Sequence, residues 1–350
     1  YYYLSANDLF INNNGLGFSE QASSYGLDHS KDDMGMAIGD YNNDGSFDIF
    51  ITAILQNALY SKNSAGDKYT DLAPNFGLDK TGWAWDVNFS DFDLDGDEDL
   101  FIVNGFVFGS SGPDDNEYYE NLYANGENRF VNSSSKAKLG DVTISVSEAV
   151  FDYDNDGDLD ILVTNNDRKS YFYENKITDF TNPRKDLHWL QVSLRGTTSN
   201  RDAIGTKISV KTNRGSLYRY YSGVGFLSQS LKQVHFGLGS ANQILELKVI
   251  WPSGLVEIFK NIPVDKNILV TEGSGIIILS SQPSKKIYGC TNPISCNYNP
   301  NATISSGTCT FLQSGVILWN KNALFNSVET YIYPIGTTST AQWQVTGGEI

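Results

Sequence analysis

Apolar residues in this chain come in short runs of β-branched and aromatic side chains, broken by Gly, Asn, Asp and Pro. Runs at 47–52, 99–103 and 159–164 have strand composition. Each is followed by an apolar-aromatic pair and an asparagine: Leu59-Tyr60 to Asn63, Leu122-Tyr123 to Asn125, and Phe172-Tyr173 to Asn175. A fourth copy, Leu9-Phe10 to Asn12, precedes the first run, so the chain is expected to open in the last strands of a repeat unit. Asn182-Pro183-Arg184-Lys185 reads as a connector. Beyond it the alternation lengthens, with strands predicted at 189–194, 207–212, 217–221, 234–237, 244–251, 256–259 and 268–271. Trp251-Pro252-Ser253-Gly254 suits a type I turn, with proline at its second position and glycine at its fourth. So many short strands between turn residues predict a sandwich or barrel.

Ahead of each of the first three runs stands one spacing of oxygen-bearing side chains. It reads D-Y-N-N-D-G-S-F-D from Asp40, D-F-D-L-D-G-D-E-D from Asp91 and D-Y-D-N-D-G-D-L-D from Asp152. Oxygens at positions 1, 3, 5 and 9 suit a hard cation with six to eight oxygen ligands. Gly45, Gly96 and Gly157 at position 6 supply the sharp turn that curls the chain around it. The predicted ligand set is Asp40, Asn42, Asp44, Ser46 and Asp48; Asp91, Asp93, Asp95, Asp97 and Asp99; and Asp152, Asp154, Asp156, Asp158 and Asp160, for about three Ca²⁺ ions. An EF-hand would carry a bidentate glutamate at position 12 between helices, and Ile51, Ile102 and Val163 stand there instead. Thrombospondin type 3 repeats intersperse cysteines among such loops, and none occurs before Cys290. Position 9 therefore opens the outgoing strand, and each loop joins two strands. The loops recur a little above the four-stranded blade period of roughly 40–50 residues. The excess fits an insertion around 110–116.

Charge and cysteine narrow the classes. A formal charge of −16 argues against nucleic acid, whose phosphates need clustered Lys and Arg, and the loops themselves supply much of that charge. No apolar run approaches the roughly 18 residues of a membrane span. Cys290, Cys296 and Cys309 lack the fourth ligand of a zinc site; in an oxidising compartment two would pair and one would be left over. At 350 residues the chain exceeds one domain. His29, His188 and His235 are the general-base candidates, and Ser230 with His235 would sketch a triad. No nucleophile elbow accompanies them, so structural roles are expected and no catalytic residue is assigned. Trp83, Trp85 and Trp189 are expected on strand core faces, and the glycosylation-like Asn132-Ser133-Ser134 and Asn301-Ala302-Thr303 are incidental.

The strand–Asp loop–strand unit resembles the FG-GAP (VCBS) repeat, the integrin-type propeller blade. H-W-L-Q-V-S-L-R-G, S-N-R-D-A-I-G-T-K-I, G-F-L-S-Q-S, H-F-G-L-G and W-P-S-G-L-V-E follow in order from His188 to Glu257 and resemble an ASPIC/UnbV domain. That domain commonly follows FG-GAP repeats in secreted proteins similar to cartilage acidic protein and its bacterial relatives. The resemblance implies secretion and calcium binding, and no known catalytic activity. Y-G-C-T-N-P-I-S-C from Tyr288 resembles a short Cys-containing repeat of secreted Bacteroidetes proteins, with Ser305-Ser306 where an acidic pair is usual. A-Q-W-Q-V-T-G-G-E-I looks like the start of a PKD-like module. Together these imply a modular protein exported by a type IX-like route.

The expected fold is mainly β: an N-terminally truncated partial β-propeller over 1–178 and a β-sandwich-like ASPIC/UnbV domain over 186–274. The Cys-containing repeat over 287–311 and the PKD-like start over 315–350 would follow. The expected function is a non-enzymatic, calcium-stabilised, secreted or outer-membrane, cell-surface module for adhesion or ligand capture. Its partner would be an extracellular glycan or protein, with no nucleic acid and no membrane span. The rival readings are an extracellular polysaccharide- or phosphoester-active enzyme whose catalytic part lies elsewhere, and a structural matrix component.

Overall fold

The computed structural model describes residues 6–279, apart from 55, 63–65, 67, 106–114, 141–142, 167–168, 179–185, 224 and 231–232, together with 288–290, 292–293, 295 and 304–305. The chain divides into two compact units, Tyr1–Lys286 and Ile287–Ile350. The first is mainly β and combines a propeller-like arrangement of blades with a two-sheet domain.

The blades are antiparallel meanders. The chain enters on a pair, β1 (Phe10–Asn12) and β2 (Phe18–Glu20). One four-stranded blade follows as β3 (Asp33–Gly39), β4 (Asp48–Ala53), β5 (Ala58–Lys62) and β6 (Tyr69–Asp71), and a second as β7 (Ala84–Ser90), β8 (Asp99–Asn104), β9 (Glu117–Asn121) and β10 (Phe130–Asn132). A three-stranded sheet, β11 (Ser145–Phe151), β12 (Asp160–Asn165) and β13 (Tyr171–Tyr173), completes the series. The first strands stand side by side, with β7 packed between β3 and β11. Phe50, Leu59, Phe89, Leu100 and Ile102 fill the space between the two full blades, and Phe101, Val103, Val150 and Ile161 fill the next. Burying apolar area at roughly 25 cal/mol per Å² holds the blades together.

The opening pair and the two four-stranded blades end the same way. The side-chain oxygens of Glu20, Asp71 and Asn132 accept the N–H of Ala22, Ala73 and Ser134 at 2.5, 3.0 and 3.1 Å. These open the one-turn helices α1 (Ala22–Tyr25), α2 (Ala73–Phe76) and α3 (Ser134–Ala137). Asn132 thus serves as a helix-entry acceptor. Left-handed residues stop the helices, Gly26 and Gly77 in two cases and Lys138 in the third.

One register expectation is corrected. Opposite the residue after position 9, the structure places Tyr60, Tyr119 and Tyr173. The third-strand signature in the second full blade is therefore Tyr118-Tyr119 to Asn121, four residues before Leu122-Tyr123. Tyr123–Asn125 is instead a 3₁₀ turn. Asn121 wins because its amide reaches the Tyr41 carbonyl of the preceding blade at 2.8 Å, as the Asn175 amide reaches the Phe92 carbonyl at 2.8 Å.

The two-sheet domain has eight strands where seven were expected. They are β14 (His188–Arg195), β15 (Lys207–Thr212), β16 (Ser216–Tyr220), β17 (Gln233–Gly239), β18 (Ile244–Ile250), β19 (Val256–Ile262), β20 (Lys266–Thr271) and β21 (Gly275–Leu279). One sheet runs β17-β14-β20-β21 and the other β16-β15-β18-β19. The added β21 is an edge strand with Ile277 and Ile278 exposed, so its run of isoleucines carries no alternation to read. Leu190, Ile208, Phe236, Ile244, Leu247 and Trp251 form the core between the sheets. The Gly254 N–H donates to the Trp251 carbonyl at 2.9 Å and closes the expected turn. Trp189 is buried as expected, whereas Trp83 and Trp85 are half-buried and stacked.

In the second unit Tyr288–Gly289 pairs in parallel with Ile304–Ser305. Cys290 is disulfide-bonded; Cys296 and Cys309, the PKD-like segment and most of the Cys-containing repeat lie outside the described residues. So do the connector at 182–185, Asn63, Asn301 and most of the insertion. Among the described residues no helix is long and apolar enough to cross a membrane.

Candidate metal centre

The three Asp loops share one hydrogen-bond scheme, dictated by where aspartate and glycine fall. The position 1 carboxylate accepts the N–H groups of positions 5 and 6: Asp40 from Asp44 and Gly45 (3.0 and 2.8 Å), Asp91 from Asp95 and Gly96 (3.1 and 2.9 Å), Asp152 from Asp156 and Gly157 (3.2 and 3.0 Å). Position 9 reaches back to the N–H of position 2: Asp48 to Tyr41, Asp99 to Phe92 and Asp160 to Tyr153, at 3.2, 3.1 and 3.0 Å. Position 5 accepts the N–H of position 7 in each loop. The curl needs left-handed backbone at position 4 as well as at the glycine: Asn43, Leu94 and Asn155 have φ of 51, 62 and 59°. As expected, β4, β8 and β12 begin at position 9.

This scheme converges oxygens. In the second and third loops, one carboxylate oxygen from each of positions 1, 3 and 5 lies within 4.8 Å of the others: Asp91, Asp93 and Asp95, and Asp152, Asp154 and Asp156. The first loop is leaner, with Asn42 at position 3, exposed Asp44 at position 5 and half-buried Ser46 at position 7. In the richer loops position 7 is fully buried. Asp97 takes the Ala124 N–H at 2.6 Å and Asp158 the Thr178 N–H and hydroxyl at 3.1 and 2.8 Å, each through Oδ2. Their Oδ1 atoms, and Asp95 Oδ2, are buried without a hydrogen-bond partner among the described residues. A buried charged oxygen without a partner is costly, and a hard cation satisfies several at once.

The electrostatics point the same way. Burial first, and neighbouring carboxylates second, push Asp97 up to about 9 and Asp158 to about 8. Burial likewise raises Asp48 to about 8 and Asp40 and Asp160 to about 7. Asp95 and Asp152 reach about 6, and Asp91 and Asp99 are held well above the carboxylate range. A dication among them would reverse that sign, keeping the carboxylates ionised. The donor set is oxygen alone, which fits Ca²⁺ rather than a softer metal.

What sequence reasoning missed is the surroundings: all three loops lie against the two-sheet domain. Tyr218 approaches within 3.5 Å of where a Cβ on Gly45 would sit, and Leu217 within 3.4 Å of one on Gly96. The Gly239 N–H donates to the Leu94 carbonyl at 2.8 Å. His235 Nε2 donates to the Gly157 carbonyl at 2.9 Å. Two glycines are required by this approach. A Cβ on Gly237 would fall 2.6 Å from the Leu94 Cα, and one on Gly157 would collide with the Trp189 indole. Glu98 Oε1 pairs with Arg219 Nε at 3.1 Å while its Oε2 accepts the Asp40 N–H at 2.8 Å.

The catalytic suspects are otherwise engaged. His29 contacts the Tyr60 hydroxyl and Asp33, and His188 contacts Asp265. Ser230 Oγ accepts from Asn88 and from the Val150 N–H, while His235 is bonded to Gly157.

Blades whose Asp loops lie against a two-sheet domain define a propeller-like class with an appended β domain. Residues 196–277 match the family described as ASPIC and UnbV. Over 303 residues, 83% of this chain, the sequence is 26% identical to cartilage acidic protein 1 of Mus musculus, covering 44% of that protein. The chain thus spans less than half the length of the curated relative it matches.

Proposed function

We propose that this chain is part of a secreted or cell-surface, non-enzymatic binding protein whose FG-GAP-like Asp loops hold about three Ca²⁺ ions. The observation that carries the reading is the pair of fully buried carboxylates, Asp97 and Asp158, each with one oxygen unpartnered among the described residues and beside further carboxylates. Bound calcium supplies charge neutralisation among the ligand oxygens. The chain's own residues set the cage: position 1 fixes the curl, position 9 ties it to the outgoing strand, and glycine at position 6 allows the turn. Extracellular calcium modules bind with Kd of about 10⁻⁴–10⁻³ M, in keeping with an extracellular location. Likeness to cartilage acidic protein 1 supports the same compartment. The ions brace the blades, and the partner, a glycan or a matrix protein, binds on loops that the braced blades present.

Isothermal titration of the chelated chain with Ca²⁺ tests the reading. Uptake of about three ions, with a melting temperature higher in Ca²⁺ than in EDTA, is expected. Equal melting temperatures in the two conditions, with no heat of binding, would refute it. An array of glycans and matrix proteins probed with and without Ca²⁺ then identifies the partner class.

A further inference from the structure

The contacts between the Asp loops and the two-sheet domain land on backbone positions 4 and 6 and on the residue at position 8. Gly237 also lies against the Asp91 carboxylate, leaving no room for a Cβ, and the contacts touch the residues whose left-handed geometry makes the curl. Different strands cover different loops. The first loop lies under Tyr218 of β16, and its Phe47 ring packs 5.3 Å from the Tyr220 ring. The second lies under Leu217 and under β17, through Gly237 and the Gly239–Leu94 bond. The third lies under Trp189 of β14 and His235 of β17.

One residue ties these together. Glu98 sits at position 8 of the second loop, accepts the Asp40 N–H at position 1 of the first, and holds Arg219 of β16. Glu98 and Arg219 are each 5% exposed, and the guanidinium packs 5.2 Å over the Phe236 ring. A second bridge runs directly between loops, from the Asn43 amide to the Gly96 carbonyl at 3.2 Å. A third joins Asn175, which follows the third loop's blade, to the Phe92 carbonyl in the second loop.

We propose that the two-sheet domain is a positioning element for the calcium loops, with Glu98 and Arg219 as positioning residues, so that ion binding and domain docking are thermodynamically coupled. The inference rests on the calcium reading above. Docking holds the loops in the curled geometry that the ligands require, so it raises calcium affinity. By linkage, calcium raises the docking equilibrium by the same factor. In the absence of ions nothing ties the converging ligand oxygens together, so the curl that the docked strands grip is held less firmly. The link through Glu98 also makes the first two loops respond together.

The test uses the whole chain and the double variant Glu98→Gln/Arg219→Met, which removes one charge of each sign and leaves the net charge unchanged. Tyr218→Ala is a second variant that touches neither the ion pair nor any ligand. Calcium affinity is read by isothermal titration, and docking by small-angle scattering in saturating Ca²⁺ and in EDTA. Coupling predicts an unchanged ion count with affinity lowered by roughly 5–150-fold in the double variant, the usual range for allosteric coupling. Tyr218→Ala should show a smaller loss of the same kind, and the wild-type chain should expand in EDTA. Wild-type affinity in both variants, or a wild-type chain whose dimensions ignore EDTA, would overturn the coupling while the calcium reading stood. A wild-type chain that takes up no calcium would overturn the calcium reading itself, and the coupling with it.

Discussion

Ser228 Oγ donates to Asp86 Oδ2 at 3.1 Å, and through that bond a loop of the two-sheet domain fastens onto a blade. The same hydroxyl contacts the Glu148 carbonyl of the next sheet. Asp86 also accepts the N–H groups of Val87 and Phe226, and the Phe226 ring stacks on Trp85 at 6.2 Å. Ser228→Ala removes one donor from a buried carboxylate. Hydrogen bonds to charged groups contribute about 1.5–3 kcal/mol, so a clear fall in melting temperature is expected by calorimetry. A variant that melts with the wild type would show that the loop is not docked in solution.

Beside that bond, Glu148 is held well above the carboxylate range by burial and then by the charge of Asp86. Burial beside a second carboxylate therefore disfavours its ionised form. Glu148→Gln, which also presents a donor, should change stability by less than about 1 kcal/mol, whereas Glu148→Ala should cost several-fold more. Denaturant unfolding compares the two; equal losses would mean that Glu148 is ionised.

The effect of Asp97→Asn should depend on calcium. In EDTA the carboxyl, pushed up to about 9 by burial and its neighbours, is already disfavoured as an anion, so a neutral amide should leave the variant about as stable as the wild type. In Ca²⁺ it loses a ligand oxygen. At about ten times Kd one site contributes roughly 1.4 kcal/mol by mass action, and the variant should forfeit most of that. Melting curves in both conditions give the answer. A loss of equal size with and without Ca²⁺ would assign Asp97 a structural role alone.

The curl of the Asp loops was legible because aspartate and glycine at fixed spacing dictate one hydrogen-bond scheme, which recurs three times. The strand signature was legible only in kind. Tyr118-Tyr119 and Leu122-Tyr123 both offer an apolar-aromatic pair before an asparagine, and only the Asn121 contact with Tyr41 of the preceding blade separates them. Trp189, His235, Gly237 and Gly239 stood out as motif letters. The close approach of Gly237 to Leu94 and of Trp189 to Gly157 joins residues far apart in the chain, so their purpose could not be read locally. Glu98 was hidden for the same reason: between two ligand aspartates it looks like one more acidic residue, and its role depends on Arg219.

Glu272 is a comparable anchor inside the two-sheet domain. Its Oε2 accepts three consecutive N–H groups, Thr197, Thr198 and Ser199, at 2.8, 2.8 and 2.7 Å. Its Oε1 accepts the hydroxyls of Ser199 and Ser253 at 2.9 and 2.5 Å. Although burial opposes the charge, these bonds hold the carboxyl at about 2. Glu272→Gln turns one acceptor into a donor facing donors, so the variant should melt below the wild type at pH 7. The contribution is present above the unfolded value of 4.5 and is lost as pH falls through about 2, so the gap should narrow in acid. A gap independent of pH would show that the charge does not hold the loop.

The pH dependence of the whole fold should differ with calcium. Without the ion, the loop carboxyls titrate well above their unfolded value of 3.8, at about 6 for Asp95 and Asp152 and about 9 for Asp97. The folded chain then binds more protons than the unfolded one across that interval, so stability falls as pH rises from about 4 to 9. His235 acts on the acid side. Burial lowers it from 6.5 to about 4, so the stability gained by keeping it neutral is present above 6.5 and lost as pH falls through 4. In EDTA the melting temperature should therefore be highest near pH 4, where the several carboxyls outweigh the one histidine, and decline toward pH 8.5. Saturating Ca²⁺ keeps the carboxylates ionised and should abolish the alkaline decline, leaving the acid limb of His235 in place. Scanning calorimetry across this range in both conditions decides it; a chelated chain whose melting temperature held level from about pH 6 to 8.5 would mean the loop carboxylates are solvated rather than buried.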